Sequence, residues 1–205
     1  MLFPSRTAHN SLKIRSLLKL FQSLDREIQK FQSKSGLNCL AGCGRCCENP
    51  NVETTVLELL PLAQKLWQEG SAEDWLKKIE SVQEKGPCVF YKPDPLIPGN
   101  GRCSVYSLRP LICRLFGFSA KIDKHKDNVF VTCATIKKLY MKEFESAQHK
   151  VQSGSLPIAS MEHYSMKAYQ IDPTLGRDQL PINRAIKIVL EKTGLHLRYL
   201  SRISS

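Results

Sequence analysis

Nowhere in its 205 residues does the chain carry an apolar run approaching the ~20 residues that a membrane span requires. No apolar stretch precedes a small-residue cleavage site near the N-terminus, so a secretory leader is not expected. Without one, the eight cysteines are not expected to form four disulfides, and the expected setting is cytoplasmic with reduced thiols. There is no Ser-His-Asp order, no phosphate-cradling glycine loop and no zincin motif, which removes the common hydrolase and nucleotide-binding classes. The histidines His9, His125, His149, His163 and His196 lack ligand spacing to one another. They are expected in solvent or core, with His125 in a predicted hairpin loop closest to an exception. Internal repeats and low-complexity segments are absent, so repeat and disordered architectures drop out as well.

What is present is an apolar share of 42%, enough for a core that needs no covalent staples. The formal charge of +11 counts cysteines as neutral. Taking eight thiolates from it leaves +3, and two zinc ions return it to +7, so much of the basic excess balances thiolate charge. Lysines and arginines are scattered, without a dense run or an RNA-binding signature. A zinc-stabilised basic module for nucleic acid is therefore the less favoured alternative.

The chain is organised around Cys39-Leu-Ala-Gly-Cys43-Gly-Arg-Cys46-Cys47. Packing does not ask for four thiols in one turn-rich stretch. Cys43-Gly-Arg-Cys46 has the two-residue spacing of a metal knuckle, and Gly42 and Gly44 are expected to take positive φ, aiming sulfurs and amides at one point. Cys46 and Cys47 are adjacent, and their side chains are expected to point apart. Further on, Cys88, Cys103, Cys113 and Cys133 arrive singly, each at the end of a small predicted element.

Before the cysteine loop, Asn10 or Ser11 is predicted to cap a helix to about residue 32, after frayed residues 1–10. Its apolar positions Leu12, Leu17, Leu20, Phe21, Leu24, Ile28 and Phe31 follow a 3.6 period. The early basic residues are superficially like a transit peptide. The direct run into the cysteine loop instead favours a helix packed on the metal core. After a polar turn over 48–51, Thr55-Val-Leu-Glu58 is a capping box for a helix to about Gly70. Pro61 either kinks that helix or delays its start. A helix from Ser71 to near Gly86 has Trp75 and Leu76 as expected anchors. Residues 88–91 and 102–106 read as a hairpin with a long loop, and Pro110 starts a short helix that Gly117 stops. Another hairpin pairs 118–122 with 129–132. Helices are predicted over 134–150, 159–170 and from Pro181 to a stop at Gly194. The fold class is α+β, mostly helical, with a small irregular hairpin-containing metal core flanked by N- and C-terminal helices. The expected organisation is 1–34 N-terminal helix, 35–135 cysteine-cluster domain and 136–205 helical extension.

These residues together resemble the bacterial cysteine-cluster family called CxxCxxCC or YkgJ-like, a zinc- or iron-chelating domain. The resemblance rests on Cys39, Cys43, Cys46 and Cys47, then Cys88-Val-Phe, Gly101-Arg-Cys103-Ser-Val-Tyr106, Arg109-Pro-Leu-Ile-Cys113-Arg114 and Cys133, and covers about residues 35–135. One departure is that three residues, not two, separate Cys39 from Cys43. The cysteine pattern is also similar to that of a flagellin lysine-N-methylase, which implies an iron–sulfur cluster and leaves redox or methyl-transfer chemistry open. The Cys39-x3-Cys43-x2-Cys46 spacing is that of radical S-adenosylmethionine enzymes, but their alternation of strands and helices is missing here. The expected ligands are all eight cysteines, holding a 4Fe–4S cluster or zinc. Arg109 and Arg114 are expected to donate to the sulfurs and offset their charge. The expected role is structural or electron-carrying, with an unidentified protein or redox partner. A cluster-dependent enzyme is the alternative.

Overall fold

The computed structural model describes residues 6–125 and 127–203. It is 58% helical, with ten α-helices and small sheets of two or three strands, the mostly helical α+β class the periodicities indicated. In order these are α1 (Arg6–Ser35), α2 (Arg45–Glu48), β1 (Glu53–Thr54), α3 (Leu60–Gln68), α4 (Ala72–Glu80), β2 (Tyr91–Pro93), β3 (Gly101–Cys103), α5 (Leu111–Leu115), β4 (Ser119–Ile122) and β5 (Asn128–Val131). There follow α6 (Ala134–Leu139), α7 (Met141–Gln152), β6 (Ala159–Ser160), α8 (Met161–Ile171), α9 (Pro173–Gly176), β7 (Leu180–Pro181) and α10 (Ile182–Ile203). No helix among the described residues is long and apolar enough to cross a membrane.

The long first helix is central. Leu17, Leu20, Phe21, Leu24, Ile28 and Phe31 are buried along one face, each worth about 1.5–3 kcal/mol. Only Leu12 of the predicted stripe stays exposed. Phe31 meets Phe130 of β5 edge-on at 5.1 Å, and Phe130 stacks on Phe144 of α7 at 5.7 Å. Residues 6–10 are helical rather than frayed, so neither Asn10 nor Ser11 is the cap; residues 1–5 of that expectation lie outside the described residues.

The capping box forms as read: Glu58 N–H donates to Thr55 Oγ1 at 3.4 Å, and Thr55 N–H donates to Glu58 Oε1 at 3.4 Å. The α-helix then starts late, at Leu60, because Pro61 sits comfortably only in a first turn; a 3-10 turn over Leu57–Leu59 fills the interval. α4 ends at Glu80, well short of Gly86. Its buried anchors are Ala72 and Ile79, while Trp75 and Leu76 are half-buried. Trp75 still packs on Phe90 at 4.5 Å. The helix predicted over 134–150 breaks at Tyr140 (φ −123°, ψ 49°) into α6 and α7, and Ile136 and Phe144 are both buried across the break.

Three small sheets close the fold, and two contain pairings between distant segments. β1 pairs antiparallel with β7, Glu53 opposite Pro181. β4 pairs with β5 as predicted, and also in parallel with β6, Ser119 opposite Ala159. Gly194 does not stop the last helix. It lies inside α10, where a Cβ would come 2.3 Å from Trp67 Cζ2. The indole is pinned there by its Nε1–H, which donates to the Leu190 carbonyl at 2.9 Å. Helix propensity alone favours alanine over glycine by ~1 kcal/mol. Gly194→Ala is nevertheless expected to lower stability by about 1–2 kcal/mol, because overpacking a fixed ring costs ~1–3 kcal/mol. A melting curve for that variant at or above the parent would show that the indole yields.

Candidate metal centre

The cysteine loop is tied to the β2–β3 hairpin beside it. Gly101 N–H donates to Gly42 O at 2.8 Å, Gly44 N–H to Gly99 O at 3.3 Å, and Cys43 makes a bridge with Asn100. Gly42 takes φ +73° as expected, but Gly44 does not (φ −107°). Glycine at 44 serves close approach instead: a Cβ there would meet Tyr91 Cε2 at 2.3 Å, and one at Gly101 would meet the same atom at 2.4 Å. The Tyr91 hydroxyl lies 2.9 Å from Asn100 O and 3.0 Å from Glu48 Oε1.

Cys46 and Cys47 sit on α2, a turn of helix inside the stretch expected to be a loop. Adjacent side chains in a helix diverge by about 100°, not the 180° of a strand. Their thiols remain close enough to shift each other's ionisation in opposite directions. Cys88 follows from this loop: its N–H donates to Cys47 O at 3.0 Å. The strand predicted over 88–91 is therefore displaced to Tyr91–Pro93, and Cys88 lies in the turn before it. Cys103 ends β3 opposite Tyr91. Cys113 lies on α5, which begins at Leu111 with Pro110, the predicted start, as its N-cap. Cys133 caps α6, its sulfur accepting from Ile136 N–H at 3.3 Å.

All eight cysteines are free thiols; Cys39 and Cys46 are exposed and the other six half-buried. They share two connected spaces. A small, mostly apolar cavity of about 80 Å³ is lined by Cys46, Cys47, Cys88, Cys103 and Cys113, with Val52, Leu62, Phe90 and Arg109. An open cleft of about 640 Å³ is lined by every cysteine except Cys88, and by Arg45, Arg102, Arg109 and Arg114, with no carboxylate in its wall. Among the described residues no three Cys, His, Asp or Glu side chains close on one point as they stand. Among the described residues no histidine lines either space.

The electrostatics follow from this crowding. The Cys47 hydrogen bond lowers Cys46 to about 6 against the opposing effect of burial, helped by backbone N–H groups and the Arg109 guanidinium. Giving that bond, and then burial and neighbouring thiols, drives Cys47 well above the thiol range. Burial, then the backbone and neighbouring sulfurs, leaves Cys88 at about 12. Burial, then Cys88, Cys46 and Cys103, raises Cys113 further. Partial burial, then Cys43, Cys46 and Cys133, pushes Cys39 up to about 11.

The two arginines part company. Arg109 faces the thiols: its charge favours the ionised forms of Cys46, Cys103 and Cys113, and its guanidinium stacks on Tyr106 at 3.8 Å. Its Nε is buried without a hydrogen-bond partner. Arg114 is buried and engaged by Asp25 of α1, by the carbonyl of Ser107 and, at 2.9 Å, by that of Arg109. Its guanidinium also lies over Phe21 at 4.5 Å.

Two residues outside the cysteine pattern support the site. The second oxygen of Glu58 accepts from Leu111 N–H at 2.7 Å, fixing the start of the helix that carries Cys113. Burial raises the Glu58 carboxyl above its usual range, opposed by this bond and those from Thr55. Asn183, in the first turn of α10, accepts from Val89 N–H at 2.9 Å and donates to Gln83 O and Pro87 O at 3.0 and 3.1 Å, bracketing Cys88. The capping box pointed to Glu58; nothing local pointed to Asn183.

The donor set suits a soft metal or an iron–sulfur core: eight sulfurs around joined spaces, counter-charged by arginines, with one buried N–H left for an acceptor. Arg109→Ala is expected to speed metal loss to a chelator by roughly 10–100-fold, leaving stoichiometry as prepared unchanged. Equal loss rates in variant and parent would return Arg109 to a packing role against Tyr106.

No curated protein and no solved structure matches the chain. A family model does, over residues 38–147, just over half the chain, and its description reads "Putative zinc- or iron-chelating domain". That match and the eight cysteines support metal binding. The match takes in the whole cysteine constellation and the elements that carry it: the chain belongs to the CxxCxxCC family.

Proposed function

We propose that the protein holds an iron–sulfur cluster at its inner thiols, in a structural or electron-carrying role. The observation that carries this reading is the inner cavity. Four thiolates around a single zinc close on the ion and leave no space between them. Here a cavity of about 80 Å³ has five thiols in a wall that is otherwise mostly apolar, where one water needs only ~10–15 Å³ on the same measure. Space of that order suits a polynuclear core. The mostly apolar wall limits water there, and the buried, unpartnered Arg109 Nε–H supports the reading as a donor still free for an acceptor. Bound there, a cluster supplies one-electron transfer, with a potential set by burial and N–H donors. The chain's own part is to hold the sulfurs, exclude solvent and balance charge. The open cleft favours a second reading, an enzyme whose cluster works on a bound substrate, because it leaves room beside the thiols.

Anaerobic preparation followed by metal and sulfide analysis tests the first reading. Near-equal iron and acid-labile sulfide, with visible absorption that bleaches under dithionite, is the expected result. A colourless protein with stoichiometric zinc and no labile sulfide would sink it. The enzyme reading expects the reduced spectrum to shift when an exogenous ligand such as S-adenosylmethionine is added.

A further inference from the structure

We infer that a trough between α1 and α7, lined by none of the cysteines, binds the phosphate backbone of a nucleic acid without reading its sequence. The inference stands apart from the metal reading, because it needs the fold and not a particular ion.

The fold gathers cations that are scattered along the sequence. Arg26, Lys30 and Lys34 recur at every fourth position of α1, which sets them in one row at steps of about 6 Å. With Pro157 they line one open hollow. Lys34 also borders a second hollow, where Lys142, Ser146 and Lys150 recur at the same spacing along α7. The two hollows meet at Lys34 and make one trough, with a row of cations from each helix. All five cations are exposed, and none is in an ion pair. Elsewhere among the described residues Lys13, Lys65, Lys77, Arg114, Arg184 and Arg198 are each paired.

Two carboxylates share the wall. Glu27 is turned to Tyr164, whose hydroxyl donates to it at 2.7 Å. Glu143 lies in the first turn of α7, where the helix dipole favours it. Five cations against two carboxylates leave an excess of three. Like charges four residues apart on a helix repel, and a bound polyanion relieves that repulsion. A regular row of cations suits a partner whose anions repeat regularly, which a phosphodiester backbone supplies. An acidic protein surface would instead anchor through aromatic and large apolar contacts at its centre. No aromatic side chain and no exposed leucine, isoleucine or methionine lines the trough. The same lack removes base stacking. What remains is contact to phosphate, from the cations and the exposed Ser146 hydroxyl, which positions a nucleic acid and specifies no base.

The test uses the full chain as prepared, metal included, and fluorescence anisotropy with a labelled mixed-sequence DNA duplex of about 20 base pairs. A Kd on the order of 10⁻⁶ M at low salt is expected, with a log–log salt slope of roughly −4 for four or five phosphate contacts. A duplex of different sequence is expected to bind within about twofold. Lys30→Glu combined with Lys142→Glu, one change in each row, is expected to weaken binding at least about tenfold and to flatten the slope by about 2. Lys187→Glu combined with Lys192→Glu makes the same change in net charge at exposed, unpaired positions on α10, and is expected to stay within about threefold of the parent. Lys30→Gln with Lys142→Gln removes the two charges without reversing them, and carries the test if the reversed pair melts below the parent. No binding by the parent at low salt, or equal losses in the trough and α10 pairs, overturns the site. Displacement of the DNA by poly-L-glutamate at equal charge concentration assigns the trough to an acidic protein and overturns it as well.

Discussion

Stripping the metal from the reduced protein is expected to release residues 86–133 from hydrogen-exchange protection while α1, α3 and α10 stay protected. Structural metal–thiolate sites contribute apparent binding free energies on the order of 10 kcal/mol that appear as folding free energy. Between residues 86 and 133 the regular structure is short, and besides the metal it is held by burial of Val89, Phe90, Leu111, Leu115, Phe118, Ala120 and Phe130 and by the pairing of β4 with β6. The β2–β3 hairpin has three residue pairs, α5 has five residues and β4–β5 has four pairs. Helices that short do not stand alone, and isolated two-stranded hairpins are marginal. The outer helices rest instead on apolar burial: Leu17, Leu24, Ala63, Ala185 and Leu190 are 0% exposed. Hydrogen exchange followed by mass spectrometry, with and without chelator under reducing conditions, reads the difference. Unchanged exchange over 86–133 after complete metal removal would mean that the cysteines do not organise this part of the fold.

The second large effect is at Arg114. Replacing it by alanine removes a buried guanidinium that joins α1 to the segment before Cys113 through Asp25, Ser107 O and Arg109 O. Breaking a buried ion pair from one side costs ~3–5 kcal/mol. The Asp25 side chain keeps 37% of its surface in solvent, so its charge is not stranded. The expected loss is therefore about 2–4 kcal/mol, part of it from packing over Phe21. Arg114→Lys is expected to recover less than half, because one ammonium cannot serve three divergent acceptors. Urea unfolding of both variants measures this. A loss below about 1 kcal/mol for the alanine variant would mean that solvent replaces the network. Set beside Arg109→Ala, the pair separates two roles in one short motif: Arg114 expected to act on stability, Arg109 on metal retention.

Local signals in the sequence were read well where the structure they encode is local. The α1 stripe, the Thr55–Glu58 box, the late start imposed by Pro61 and the α5 start at Pro110 are each decided within one or two turns. What was missed depends on distant partners. Gly194 resembles a helix stop until Trp67, far away in the chain, is seen against it. Cys88 reads as the start of a strand until the Cys47 carbonyl and Asn183 hold it in a turn. β6 and β7 are two residues each, too short to show periodicity, and exist only because β4 and β1 are there to pair with. At the site, residue types and order were legible. The separation of Cys39, Cys43 and Cys133 from the inner cavity was not, since it follows from one helical turn and the packing of the hairpin on the loop.

Asn183 also bears on how portable this cysteine arrangement is. The stretch that carries the family pattern ends at residue 147, yet the peptide groups on both sides of Cys88 are held by an amide 36 residues past that end. The guanidinium next to Cys113 leans on a carboxylate 13 residues before the stretch begins. Excised at its similarity boundaries, the pattern would keep every sulfur and lose the two side chains that orient the segments around Cys88 and Cys113. Any other chain that carries the pattern between different flanks must supply an equivalent amide and an equivalent carboxylate from its own sequence, and their presence there would separate chains that share the site from chains that share only its spelling.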